Sequence, residues 1–96
     1  MFITNSPTII DEIREASQVG DAKRVESLAH KLKGGAKNLG ATIMAEDCAA
    51  LEELGEKNDL RESDKMVFRI SSDFKNVVSL LKKKYKDETK DVAIDF

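Results

Sequence analysis

Apolar side chains at Val67, Ile70, Phe74, Val77, Leu81 and Tyr85 return every three or four residues without a break. That period matches the 3.6-residue turn of an α-helix and places all six on one stripe. A stripe of this kind must be buried against something, so the chain has to supply other helices with matching faces. It does so three more times: Ile9, Ile10, Ile13 and Ala16; then Val25, Leu28, Leu32 and Leu39; then Met44, Cys48 and Leu51.

The breaks between these segments carry helix stop and start signals. Ser6 is expected as the N-cap of the first helix, with Pro7 in its first turn and the end near Gly20. Asp21 caps the second helix, which Gly40 stops. The third is predicted from about Ala41 to Leu54, with Gly55 just past its end and Lys57-Asn58-Asp59 as the connection. Ser63 is placed as cap of the fourth and longest. Four amphipathic helices with short connections predict an all-α fold, an antiparallel up-down-up-down four-helix bundle over residues 1–85. Residues 86–96 show no such period and are expected to be a flexible tail, with Val92, Ile94 and Phe96 available to dock on a partner or a second copy.

Composition supports this class and excludes several functions. Ninety-six residues with 41% hydrophobic side chains close one modest core, and the scarcity of aromatic residues, glycine and proline favours helices over strands. Sixteen basic and eighteen acidic residues nearly cancel, which argues against nucleic-acid binding by bulk charge. No apolar run approaches the roughly 18 residues that span a bilayer, so no membrane role is expected. The single Cys48 forms no internal disulfide and there is no zinc-type Cys/His spacing, which points to a reducing cytoplasm.

The second helix carries the chemistry. With about 100° per residue, His30 lies roughly 170° from the mean direction of its apolar residues and therefore faces water. Lys23, Glu26, Ser27, Lys33, Gly34 and Lys37 fall within roughly 60° of it, so the chain's single histidine stands among lysines. Gly34, one turn on, leaves the ring open to approach at a cost of about 1 kcal/mol in helix propensity, and Gly35 adds a similar cost. Two glycines inside an otherwise well-patterned helix indicate that something large docks there.

The run Ala29-His30-Lys31-Leu32-Lys33-Gly34-Gly35-Ala36-Lys37-Asn38-Leu39-Gly40-Ala41 resembles the signature A-H-x-L-K-G-x-x-x-x-L-G-A of the histidine-containing phosphotransfer (HPt) family. Asp21 upstream and a C-x-x-L-E pattern at Cys48, Leu51 and Glu52 extend the resemblance over roughly residues 2–85. It implies a phosphorelay intermediate of two-component signalling. His30 would accept a phosphoryl group from a receiver aspartate and pass it to a response-regulator aspartate. Lys33 would neutralise phosphoryl charge and Gly34 would give steric access. Receiver domains of response regulators and of a hybrid sensor kinase would be the partners, with Ser27, Lys37 and Lys23 expected at the contact.

The chemistry is consistent with that role. Phosphoryl transfer needs mainly positioning and charge stabilisation, so the domain needs no cofactor of its own and magnesium is expected from the receiver partner. An exposed imidazole near lysines is expected to be largely neutral at neutral pH, the form that acts as nucleophile. Lys33-Gly34-Gly35 lacks the glycine-rich loop of a nucleotide site, which implies a phosphotransfer protein rather than an independent kinase.

The chain departs from the family in two places. Many members have an extra N-terminal helix, whereas here Phe2 to Pro7 would be the junction that follows it, which leaves open a minimal variant, a longer chain, or a homodimer whose second copy covers the exposed face. Lys37 is larger than the small residue often found there. Two other readings stand beside the relay: a helical docking module that transfers no phosphate, and a fragment of a larger hybrid histidine kinase. Cys48 is read as a small core residue, Lys82-Lys83-Lys84 as a helix end, and Glu52, Glu53, Glu56 and Asp59 as a solvated acidic face.

Overall fold

The computed structural model describes the backbone of residues 2–85 and the side chains of residues 5–82. Four helices occupy that span: α1 Phe2–Val19, α2 Ala22–Leu39, α3 Thr42–Glu56 and α4 Ser63–Tyr85. Each packs against two neighbours, α1 on α2, α2 on α3, α3 on α4 and α4 back on α1, with no close backbone approach between the diagonal pairs. With short turns between successive helices this is the up-down-up-down bundle. The expected tail at 86–96, with Val92, Ile94 and Phe96, lies outside the described residues.

The caps form as the sequence implies at both ends of α2. The Asp21 carboxylate accepts from the Arg24 N–H at 3.1 Å, satisfying one of the orphan donors of the first turn. Gly40 takes a left-handed φ of 79° and its N–H closes on the Ala36 and Lys37 carbonyls, a conformation that costs a residue with a Cβ more than glycine. The α3–α4 connection reverses at Asn58, φ 55°. Arg61 grips the Asp59 carboxylate there through two nitrogens at 2.9 Å, holding it down to about 2.

The core is assembled from one stripe per helix. Ile9, Ile10, Ile13 and Ala16 of α1, Val25, Ala29, Leu32 and Ala36 of α2, Met44, Ala45, Cys48 and Leu51 of α3, and Val67, Ile70 and Phe74 of α4 form a single buried cluster. Val77 is partly buried against it, and the side chain of Tyr85 lies outside the described residues. Burial pushes the Cys48 thiol up to about 12, so it is a core residue without thiolate chemistry.

Four expectations change. α1 begins at Phe2 rather than at Ser6, so the expected junction is helix; Ser6 is fully buried and Pro7 lies inside the helix. The Ser-Pro cap signal is outweighed there by burial in the bundle, although Pro7 has no N–H for the carbonyl four residues before it. Leu39 is exposed and Leu28 only partly buried, whereas Ala22, Ala29 and Ala36 are inward. Leu28 and Leu39 lie off the stripe that Val25 and Leu32 share with the alanines, which carry little hydropathic signal. Finally, α3 continues to Glu56 and buries Gly55 instead of stopping before it.

Gly55 explains why α2 and α3 sit so close. A Cβ there would lie 2.7 Å from the Glu26 nitrogen and 2.8 Å from the Ala22 carbonyl oxygen, inside any van der Waals contact. The hydrogen-sized side chain lets the two backbones touch, with the alanines of α2 making room along the same seam. This crossing lies three residues from Glu52 and sets how α3 presents that side chain to α2.

Candidate functional site

The inward stripe of α2 is Ala22, Val25, Ala29, Leu32 and Ala36, spaced three and four residues apart. Lys23, Ser27, His30, Gly34 and Lys37 have the same spacing in the opposite phase, and all five are exposed. Helical periodicity alone therefore produces a solvent-facing ridge with the histidine at its centre. The His30 side chain is 68% exposed, and a Cβ added at Gly34 would meet nothing within 4 Å. Gly34 and Gly40 carry different demands: one keeps space open, the other turns the chain.

Lys33 departs from the expected arc. It is only 20% exposed and leans towards α3, where its Nζ lies 2.6 Å from Glu52 Oε1. The other carboxylate oxygen of Glu52 lies 2.9 Å from His30 Nδ1. One side chain of α3 thus links both chemical residues of α2. The sequence places Glu52 on a solvated acidic face, together with Glu53, Glu56 and Asp59; it is instead 20% exposed, with one oxygen at the imidazole and the other against the Lys33 ammonium. The signal that could have found it was the C-x-x-L-E pattern: Cys48 and Leu51 are buried, and the glutamate follows at the edge of that face.

The electrostatics follow from these contacts. The Lys33 ammonium, with a smaller contribution from His30, holds the Glu52 carboxyl below its ordinary value against the opposing effect of burial. An ionised carboxylate only accepts, so the tautomer assigned to His30 carries its proton on Nδ1 and donates to Glu52. The lone pair then resides on Nε2. The arrangement is an exposed imidazole nucleophile, held by its rear nitrogen, with an unobstructed approach one turn away.

The surroundings are polar and shallow. A depression along the α2–α3 seam is lined by Lys33, Ala49, Glu52, Glu53, Glu56 and Lys57, and within it Glu53 and Lys57 pair at 2.7 Å. Among the described residues no group of three or more histidine, cysteine or acidic side chains is placed to hold a metal ion. No helix among them is long and apolar enough to cross a membrane.

The family model for the Hpt domain matches residues 1–83. Among solved structures, the crystal structure of histidine-containing phosphotransfer protein B (HptB) from Pseudomonas aeruginosa PAO1 superposes with a TM-score of 0.85 at 29% identity, covering 90% of this chain and 75% of that one. The curated proteins give no match.

Proposed function

The chain belongs to the Hpt domain family and has a histidine phosphotransfer role in two-component phosphorelay signalling, and from that premise we propose that His30 is its phosphoryl carrier. The observation that carries this assignment is His30 itself: exposed, tied through Nδ1 to Glu52 at 2.9 Å, and open at Nε2. In the accepting step the Nε2 lone pair attacks the phosphorus of a receiver's aspartyl phosphate. The N–P bond forms as the P–O bond to the aspartate breaks, and the aspartate leaves as carboxylate. Transfer to a second receiver runs the same exchange in reverse.

The ridge of α2 supports the remaining roles. Gly34 gives clearance for the receiver, because nothing lies within 4 Å of where a side chain would begin. Ser27, Lys23 and Lys37 are exposed on the same ridge and are assigned to contacts with receiver domains of response regulators and of a hybrid sensor kinase. Lys33 is assigned to phosphoryl charge stabilisation, reached from its ion pair with Glu52. Magnesium is assigned to the receiver's side of the contact, since Glu52, the acidic residue at His30, is already engaged by Lys33 and His30. A cytoplasmic location belongs to the same proposal.

The test is phosphorylation by a phosphorylated receiver domain or by phosphoramidate, comparing the native chain with His30→Gln by intact mass. An acid-labile gain of one phosphoryl group on the native chain only is expected. Labelling of both chains, or of neither, overturns the assignment.

A further inference from the structure

On the side of the bundle away from the His30 seam, α1 and α4 pack together across from α2 and α3. Between them runs a groove of 360 Å³ whose walls are apolar: Pro7 and Ile10 from α1, Phe74 and Val78 from α4. A ring the size of benzene needs about 150 Å³, so the groove has room for an aromatic side chain. The chain carries a candidate on the same face. Of the two phenylalanine side chains described, Phe74 is buried in the groove wall, whereas Phe68 is 75% exposed. Phe68, Ser71, Lys75 and Val78 repeat every three or four residues along α4, so Phe68 belongs to the stripe that borders the groove. Knob and socket share one surface.

We propose that this face binds a second copy of the chain, in an antiparallel two-fold pair that lays Phe68 of each copy in the groove of the other. In such a pair each feature must meet its complement at equal distance on the far side of one axis. On α4, Phe68 and Phe74 are about 9 Å apart along the helix, and Ser71 is their midpoint. On α1 the charges Asp11 and Arg14 stand either side of a midpoint between residues 12 and 13. Arg14 donates to the Ser71 hydroxyl at 3.3 Å, and helical side chains lean towards the start of their helix, so the two midpoints share one level across the groove. An axis through that level, at right angles to the helices, sets α4 against α4 and α1 against α1. Phe68 then faces Phe74 of the second copy, and Asp11 faces Arg14 of the second copy, each contact occurring twice.

Charge and burial both favour a second copy as the occupant. Pairing removes from water the largest exposed apolar side chain among the described residues, Phe68. Asp11 and Arg14 already pair within α1 at 2.9 Å, with side chains 74% and 44% exposed. The second copy adds the reciprocal pair, and charges of alternating sign then form a network, where an isolated exposed pair counts for little. Lys75, exposed on the groove rim, comes level with Phe68 of the second copy, so its stem lies along that ring while its ammonium reaches water. The α2–α3 side faces the other way, and both histidines stay open to receivers. The inference stands whether or not His30 carries a phosphoryl group.

Sedimentation equilibrium of the full chain from about 1 μM to 1 mM is expected to show a reversible rise from 10.7 kDa to twice that mass. Phe68→Ser changes an exposed position, so it should keep the native circular dichroism while raising the dissociation constant about 30-fold. Asp11→Arg and Arg14→Asp each set like charges against one another across the axis and should each weaken the pair about tenfold. Mixed in equal amounts, these two chains form a heterodimer in which arginine meets aspartate at both crossings, and association should return to within about twofold of the native value. A native chain that stays at 10.7 kDa throughout overturns the proposal, and so does a dimer that Phe68→Ser leaves intact. A mixture that associates no more tightly than its two components overturns it as well, because parallel copies would set α1 against α4 and gain nothing from the exchange.

Discussion

Gly55→Ala should destabilise the bundle although it replaces glycine by the best helix former. In an unconstrained helix interior the exchange is worth about 1 kcal/mol in favour of alanine. Here the new Cβ would stand 2.7 Å from the Glu26 nitrogen and 2.8 Å from the Ala22 oxygen, both backbone atoms that cannot rotate away. Reaching the 3.4 Å at which ordinary contact begins requires α2 and α3 to part by about 0.7 Å. Overpacking costs about 1–3 kcal/mol, and because the close contacts are all with backbone atoms the upper part of that range applies, about 2–3 kcal/mol; the net loss is about 1–2 kcal/mol and the melting midpoint falls by about 4–16 °C. The same separation stretches the 2.9 Å link between His30 and Glu52 to roughly 3.5 Å, beyond useful hydrogen-bond range. Urea denaturation followed by circular dichroism measures the first effect, with Gly34→Ala as the internal control. Its Cβ meets nothing, so it should gain up to about 1 kcal/mol in stability while transfer to the receiver slows. A Gly55→Ala chain as stable as the native one would refute the close-crossing argument.

Three other outcomes are expected. Asp73 lies beside Asp47, whose other partner is Arg69 at 3.0 Å, and burial together with Asp47 raises its carboxyl to about 6. The folded chain then holds a proton that the unfolded chain releases near the ordinary value of 3.8, so stability falls as pH rises from about 4 to 6. Asp73→Asn should remove that slope and leave the bundle about 1–2 kcal/mol more stable at pH 7, screening by solvent allowed for; identical urea midpoints against pH in the two chains would sink this account. Lys37→Glu, on the exposed ridge, should slow association with an acidic receiver and flatten its salt dependence, checked by stopped-flow at several ionic strengths and refuted by an unchanged slope. The Cys48 thiol, buried and raised to about 12, should react with a maleimide only when the chain unfolds; stoichiometric labelling of the folded chain would contradict its placement.

The sequence by itself determined what a single helix can express. Periodicity of three and four residues specified four helices and most of their inward positions, Leu28 and Leu39 apart, Asp21 and Gly40 set the ends of α2, and the opposite phase placed His30 on an exposed ridge with Gly34 and Lys37. These are local properties, because side-chain direction follows from the turn of the helix. The signature around His30 added the family, which the match over residues 1–83 then established.

Only the tertiary structure decided which side chains of different helices meet. Glu52 stands 22 residues from His30 in the chain, and whether it faces solvent or the imidazole depends on the rotation and separation of α3 against α2. That separation rests on Gly55, whose meaning as a close crossing rather than a stop signal appears only once a second backbone lies against it. Lys33 likewise sits on the ridge's flank by its own helix and is drawn to α3 by a partner that no helical count within α2 contains. Periodicity assigns a direction to each residue, but contact needs a distance between elements, and that distance is a property of packing.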